Sequence, residues 1–404
     1  MEAQTHTSEG PNDRIRVLQV VDKFSIDGES IHGIARLMSW WTNAIDRDRF
    51  DMNILGLKAP SNAGRYIERQ GGRVFYSDYG RLNPASLLDI ARVARQTQTD
   101  LLHLHGYKAC TLGRIVGALL GMPVVLHEHA VFPTMPPYQK LADWLLAPLN
   151  DRVVVNCEAV AEFCVERRSM DPENIEIIFN GVPLNEFREV SDSAAAEAAE
   201  ELGIGADTPV VGTVARLEEQ KGITHFLNAV PAVKEECPDV KVLIVGDGTL
   251  RGALEEEARQ LGIADNVIFT GERRDVPRLY KLMDVKVISS IYEGTTLTVF
   301  EAMATGTPVV ATTVDGVEEV IEDGATGMLV PPKDAASIAE VVTDLLTNPD
   351  RARLLSERAE QAVKQYDVRT SMRRIENLYE TVLSGNGGAP RRSILRIKRD
   401  RSEP

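Results

Sequence analysis

Two glutamates, Glu293 and Glu301, stand eight positions apart in the run SSIYEGTTLTVFEAMATGTPVVA, residues 289–311. A carboxylate can accept hydrogen bonds from two neighbouring sugar hydroxyls, so the pair is suited to holding a sugar. The other residues of chemical interest are paired histidines, His103 with His105 and His127 with His129. Alternate residues of a strand point to the same side, which puts His127 and His129 on one face. An H-x-H pair invites a metal, but no third ligand at a recognisable spacing accompanies either pair, so structural or substrate-facing imidazoles are expected and no metal.

The elements around the glutamates follow from local chemistry. Val285 to Ile288 is a β-branched apolar run and reads as a strand, Glu293-Gly294 as the turn leaving it, and Thr295 or Thr296 as the N-cap of a helix carrying Val299 to Ala304. Glu293 then lies at the carboxyl end of a strand, where open α/β sheets bind ligands, beside a helix N-terminus whose free N–H groups favour an anion such as phosphate. The spacing alone fits equally an ordinary strand, turn and helix with two solvated glutamates.

The longer pattern goes further. Ser290, Glu293, Gly294, Glu301, Ala302, Met303, Ala304, Gly306, Pro308, Val309, Val310 and Ala311 fall on a motif that resembles the E-x7-E region of retaining glycosyltransferases of the GT-B fold, family 4 (glycosyl transferases group 1). The chain departs from it at Thr295-Thr296, where an aromatic followed by Gly, Pro or Ser is more common. VVGTVARLEEQKGI, residues 210–223, resembles the same family's G-x-x-R-L-x-x-x-K-G segment. The resemblance runs over residues 15–384 and is strongest over 208–335.

The resemblance implies a role for each matching position. Arg216 and Lys221 grip the donor diphosphate, with the backbone of Thr295, Thr296 and Leu297 in support, and Glu301 holds the ribose hydroxyls. Glu293 contacts the donor sugar, and His129, aligned by counting from Pro123, with His127 one pleat away as the alternative, lies near the sugar hydroxyls and the reaction centre on the first-domain side. Gly246, in VGDG, lies near the nucleoside, and Thr270 to Arg273 form the base-recognition loop. Gly28 stands where the family places a glycine-rich loop facing the diphosphate. The chemistry is consistent, because breaking a bond between a sugar and a diphosphate leaves negative charge on the departing oxygen, which two fixed cations stabilise without proton transfer.

The rest of the chain must position these residues. Strand candidates Ile15–Val21, Met52–Leu57, Val74–Ser77, Leu101–His105, Val124–His127, Arg152–Cys157 and Ile175–Phe179 alternate with helical patterns, giving a first doubly wound sheet. A second begins near Thr208, after a connecting helix over Ser191–Glu201. The expected fold is α/β, GT-B: two facing Rossmann-like domains with a cleft between them. The acceptor domain is expected over 15–190 and the donor domain over 206–367. Pro349–Leu383 reads as a long amphipathic helical stretch whose end, 368–384, returns to the first domain. Residues 1–14 and the basic 385–404 are expected to be disordered. Trp40-Trp41 reads as an apolar acceptor surface, a membrane-contacting patch or partial core.

Composition excludes several classes. The 404 residues, 43% hydrophobic, can bury two cores. A net charge of -15, from 60 acidic and 45 basic side chains, argues against a nucleic-acid binder. Cys110, Cys157, Cys164 and Cys237 form no C-x-x-C pair and read as thiols of a reducing compartment. No apolar leader and no run of roughly 18 apolar residues is present, so a cytoplasmic protein is expected. RRSILRIKRDR, residues 391–401, is a basic cluster that can touch anionic membrane from the inner face. A nicotinamide enzyme is disfavoured because no G-x-G-x-x-G follows the first strand. The expected reaction is transfer of a sugar, with retention and without metal or cofactor, from a UDP- or GDP-sugar to a hydroxyl acceptor such as a lipid-linked glycan precursor. A GT-B epimerase or a nucleotide-sugar binding protein are the alternatives.

Overall fold

Mostly apolar runs such as Val17 to Val21, where Gln19 is the one polar residue, and Val242 to Val245 bury both faces and therefore form interior strands of parallel sheets. The computed structural model describes residues 14–24, 31, 33–79, 83–132 and 134–385. Residues 1–13, Gly28 and the basic run 391–401 lie outside them.

The first sheet contains β1 (Ile15–Val21), β2 (Phe50–Gly56), β3 (Arg73–Tyr76), β4 (Leu101–His105), β5 (Val124–Glu128), β6 (Arg152–Val155) and β7 (Ile175–Ile177), in the order β3-β2-β1-β4-β5-β6-β7. The second contains β8 (Val210–Val214), β9 (Lys241–Val245), β10 (Val267–Gly271), β11 (Val285–Ile288), β12 (Val309–Thr312) and β13 (Met328–Val330), in the order β10-β9-β8-β11-β12-β13. Every pairing between these strands is parallel. Strand order reverses between β1 and β4 and again between β8 and β11. Each reversal opens a crevice at the carboxyl ends of its strands, and these are the ligand sites of doubly wound sheets.

Short links carry the chain between the sheets. The helix Asp192–Glu201 starts at Ser191, whose hydroxyl accepts from Ala194 N–H at 3.2 Å. The stretch expected as one helix over 349–383 is divided into Pro349–Ala362, a 3-10 turn Val363–Tyr366, and Val368–Leu383. At the break, Val182 N–H donates to Tyr366 O and Val368 N–H to Val182 O, both at 3.0 Å. A continuous helix could not offer those groups outward, so the break is what stitches the returning chain to the exit of the first domain. The last helix then packs on the first domain, where Ser371 Oγ donates to Phe179 O and Tyr379 is fully buried.

Trp40 and Trp41 are core residues. Trp41 is 1% exposed and stacks against His103, with ring centroids 5.8 Å apart. The surface reading fails because the helix Gly33–Ala44 turns both indoles toward the sheet. Trp40 reaches the cleft edge only as lining. Among the described residues no helix is long and apolar enough to cross a membrane.

Candidate functional site

The two sheets face each other across a cleft of about 520 Å³. On the second domain, the wall is built by the turns after β8 and β11. Lys221 forms an ion pair with Glu293, which also accepts from Ser290 Oγ at 2.7 Å and Gln220 Nε2 at 3.4 Å. Gln220 in turn accepts from Arg216 Nη2 at 3.3 Å. Arg216, Lys221 and Glu293, separated by as many as 77 positions in the sequence, are thereby held on one wall because β8 and β11 are adjacent.

The helix Leu297–Ala304 begins at this wall. Thr296 occupies the N-cap position without any side-chain capping bond, its hydroxyl being 3.1 Å from that of Thr298. Thr295 Oγ1 instead donates to Asn156 O across the cleft at 2.7 Å. No side chain therefore caps the first-turn amides, which are available to an anion. The turn before the helix needs glycine: a Cβ on Gly294 would lie 2.6 Å from His129 O of the opposite domain. Gly246, at φ 134°, ends β9 against the carbonyl of Ala215 and also lines the cleft.

Glu301 lies one step behind the wall. It is fully buried, accepts from Tyr280 Oη at 3.0 Å, and has Arg36 of the first domain 2.7 Å away. Arg36 itself borders the cleft and sits over the Trp40 ring, 4.6 Å from its centroid. Beneath them Lys286, in the middle of β11, is completely buried and donates to Thr213 Oγ1 and Val287 O, each at 3.0 Å. Desolvation pushes its ammonium down to about 7; Glu301 and Glu293 act against that shift, and Lys221 acts with it.

On the first-domain wall the charged groups are Arg36 and Glu186, both on helices, and the strand ends between them carry neutral imidazoles. β4 and β5 run side by side with His105 opposite His127, which collects His103, His105, His127 and His129 into one stack. Burial lowers all four imidazoles, His129 to about 4 and His103 to about 3, so at neutral pH each is uncharged. Here the structure corrects the sequence reading that found no third ligand: ligand nitrogens of His103, His105 and His127 come within 4.8 Å of one another. The third imidazole comes from the neighbouring strand, which linear spacing cannot reveal. Both His105 nitrogens are already engaged, by His129 and Gln19, and no Asp, Glu or Cys joins the group among the described residues. A divalent ion would thus lack any compensating charge in the core.

Of the residues singled out from the sequence, Arg216, Lys221, Glu293, Gly246, Thr295, Thr296, Leu297, Arg273 and His129 line the cleft. Arg273 does so with its guanidinium tied to Asp275 and Glu201. Thr270 is not among the lining residues; its hydroxyl is turned to Gly271 O at 2.9 Å. Arg36, Gln220, Asn156 and Lys286 were not anticipated. Lys286 alone carried a signal, a lysine inside an otherwise apolar strand.

Comparison with known proteins agrees with this architecture. The family model described as glycosyl transferases group 1 matches residues 195–362, and that described as glycosyltransferase family 4 matches residues 31–186. The chain is 28% identical over 304 residues to the D-inositol 3-phosphate glycosyltransferase of Corynebacterium kroppenstedtii, covering 70% of this chain and 67% of that one. It is 26% identical to the Escherichia coli UDP-Gal:alpha-D-GlcNAc-diphosphoundecaprenol alpha-1,3-galactosyltransferase, covering 76% and 83%. Among solved structures, Anabaena HepE in complex with UDP-glucose superposes with a TM-score of 0.79 at 22% identity, covering 91% of this chain and all of that one. A glycosyltransferase from Rickettsia africae gives 0.81 at 19%, covering 92% and 99%.

Proposed function

The chain is a group 1 glycosyltransferase of the GT-B fold, and on that premise we propose that it transfers a sugar from a UDP-sugar to a hydroxyl acceptor with retention at the anomeric carbon. The observation that carries the proposal is the convergence of Arg216, Lys221, Glu293 and an uncapped helix N-terminus on one wall of the cleft. UDP is favoured over GDP by the names of the relatives: HepE was solved with UDP-glucose and the Escherichia coli enzyme is named for UDP-Gal.

In this reading the diphosphate lies against Arg216, Lys221 and the first-turn amides of 297–304, and Glu293 takes the sugar hydroxyls. The ribose takes Glu301, displacing the Arg36 guanidinium from it. The bond from the anomeric carbon to the phosphate oxygen breaks, and its electron pair stays on that oxygen, where the cations and helix amides stabilise it. The acceptor oxygen attacks the same face and its proton passes to the departing phosphate oxygen, so no separate base is needed. His129 faces the sugar from the other domain as a neutral hydrogen-bonding group. Closure of the two walls excludes water.

A lipid-linked acceptor fits the outer surface. The helix Pro137–Leu146 turns its apolar side outward, with Tyr138, Leu141, Trp144 and Leu145 all more than half exposed, and Phe132, five residues before it and also exposed, lines the cleft. Aromatic and leucine side chains in this arrangement suit a membrane interface, and the basic run 391–401 adds attraction for anionic lipid. The Escherichia coli relative is named for a diphosphoundecaprenol acceptor. Sedimentation with vesicles containing anionic lipid is expected to fall for Trp144→Ser and for truncation after residue 385; equal binding by all three proteins contradicts the membrane part.

The donor assignment is tested by thermal unfolding with UDP, GDP, ADP and NAD, with and without magnesium. A saturating ligand at 100 times its Kd stabilises by about 2.7 kcal/mol. UDP alone, independent of magnesium, is expected to raise the Tm, and Arg216→Ala to abolish the rise. A shift confined to NAD sinks the proposal.

A further inference from the structure

His129 reaches the cleft at the end of a buried chain of hydrogen bonds. Its Nε2 lies 3.0 Å from His105 Nδ1, and His105 Nε2 lies 2.8 Å from Gln19 Oε1. Gln19 Nε2 donates to Tyr379 Oη at 2.9 Å, and Tyr379 Oη is 2.7 Å from His103 Nδ1. Gln19, His103 and Tyr379 are all 0% exposed and His105 is 2% exposed, so water does not compete for these groups. The chain runs from the cleft through β5, β4 and β1 to the helix that returns from the second domain.

The donors and acceptors fix its direction. An amide oxygen only accepts, so His105 must carry its proton on Nε2. His105 is neutral, because burial and the neighbouring imidazoles hold it well below the ordinary histidine value. Its Nδ1 therefore bears a lone pair and accepts, which requires the proton of neutral His129 to be on Nε2. The remaining nitrogen of His129, Nδ1, is then the acceptor, and His129 is one of the residues lining the cleft.

We propose that Gln19 and His105 are positioning residues that hold His129 in the Nε2–H tautomer, so that its Nδ1 accepts a hydroxyl of the bound sugar. This rests on the transferase reading for its consequence but not for its geometry. Imidazole in water exchanges between tautomers and rotates freely. In a wall built this way the lone pair is oriented before the sugar arrives, and only a hydroxyl, not an acceptor group, matches it. Tyr379 extends the control to the last helix: by accepting from the Gln19 amide it keeps that amide oxygen aimed at His105.

The test has two arms. Nitrogen-15 NMR of the histidine side chains in the wild-type protein, assigned with His129→Ala and His105→Gln, is expected to show His129 protonated at Nε2 from pH 6 to 8. In Gln19→Leu the signals are expected to move toward the mixture seen for a free imidazole. Protonation at Nδ1 in the wild type, the reversed chain, overturns the proposal, as does an unchanged tautomer in Gln19→Leu. The second arm is UDP release from UDP-glucose: Gln19→Leu is expected to lose about tenfold or more in kcat with its thermal shift by UDP unchanged. His105→Gln, which keeps one donor and one acceptor, is expected to retain more kcat than His105→Leu. Equal kcat in that pair, with both folded, overturns the positioning role. If wild-type protein releases UDP from none of a panel of UDP-sugars, the donor proposal fails by itself and the tautomer measurement still decides this one.

Discussion

The two walls of the cleft handle ionisable groups in opposite ways. In the first domain, the strand ends at the wall hold four stacked imidazoles kept neutral, Arg36 and Glu186 reach the cleft from helices, and a further group of buried charges lies on the other side of β5. There Glu128 pairs with Arg168, and Asp143 accepts from Arg114 at 2.6 Å and Arg168 at 2.9 Å. In the second domain, the charges are at the wall: Arg216, Lys221 and Glu293 line it, with Glu301 and Lys286 just behind. Both domains are doubly wound parallel sheets with the same reversal of strand order, so the fold does not impose this difference. It arises from side chains at matching strand ends and suits a ligand that is charged at one end and hydroxylated at the other.

The contrast can be broken most severely with acid. His103 and His129 are held at about 3 and about 4 in the folded chain, against 6.5 when unfolded. Between those values the unfolded chain binds more protons than the folded one, so stability falls as pH drops from 6.5 to about 4. The loss expected from these two residues by pH 4 is on the order of 6 kcal/mol, read as a falling urea midpoint. His103→Phe is expected to flatten the curve; an unchanged slope would mean that the imidazoles are not held neutral.

On the opposite wall, Arg216→Ala is expected to cost about 3 kcal/mol of barrier, or roughly a hundredfold in kcat/KM for UDP release. His129→Ala should slow turnover while leaving the UDP-induced Tm rise in place. A loss of that rise in His129→Ala would erase the division of labour between the walls.

Lys286 sharpens the comparison through stability. Its folded value of about 7 lies below the 10.5 of the unfolded chain, so between these the unfolded state carries the extra proton and stability rises with pH. Lys286→Met should therefore stabilise the protein by about 2 kcal/mol at pH 7, with the gain shrinking toward pH 10. A destabilised Met variant at pH 7 would show that the buried ammonium is better compensated than its two hydrogen bonds suggest.

The smallest expected effect concerns contact between the walls. Thr295→Val removes the bond to Asn156 O, worth about 1 kcal/mol, and should raise KM several-fold with little change in kcat. An unchanged KM would place the effect of that bond on stability alone.

Much of this was legible in the sequence. β1 and β4 begin and end where the apolar runs do, and the E-x7-E run already placed Glu293 at a strand end and Glu301 in the following helix. The division of 349–383 into two helices was not, because both pieces keep helical periodicity and the interruption is required by Val182, a residue far away in sequence. Trp40-Trp41 was ambiguous for the same reason: an indole pair on a helix is surface or core according to what the helix packs on.

What the sequence determined by itself was the kind of elements, the family and the residue types at the strand ends. These are local properties, set by side-chain period, turn chemistry and charge. Tertiary structure decided which of those residues meet. Parallel pairing of β4 with β5 brought four histidines together, and the return of the last helix placed Tyr379 on Gln19. Facing of the two sheets set Arg36 against Glu301. Strand pairing and domain packing join positions tens to hundreds of residues apart through directional hydrogen bonds, and no spacing along the chain encodes such meetings.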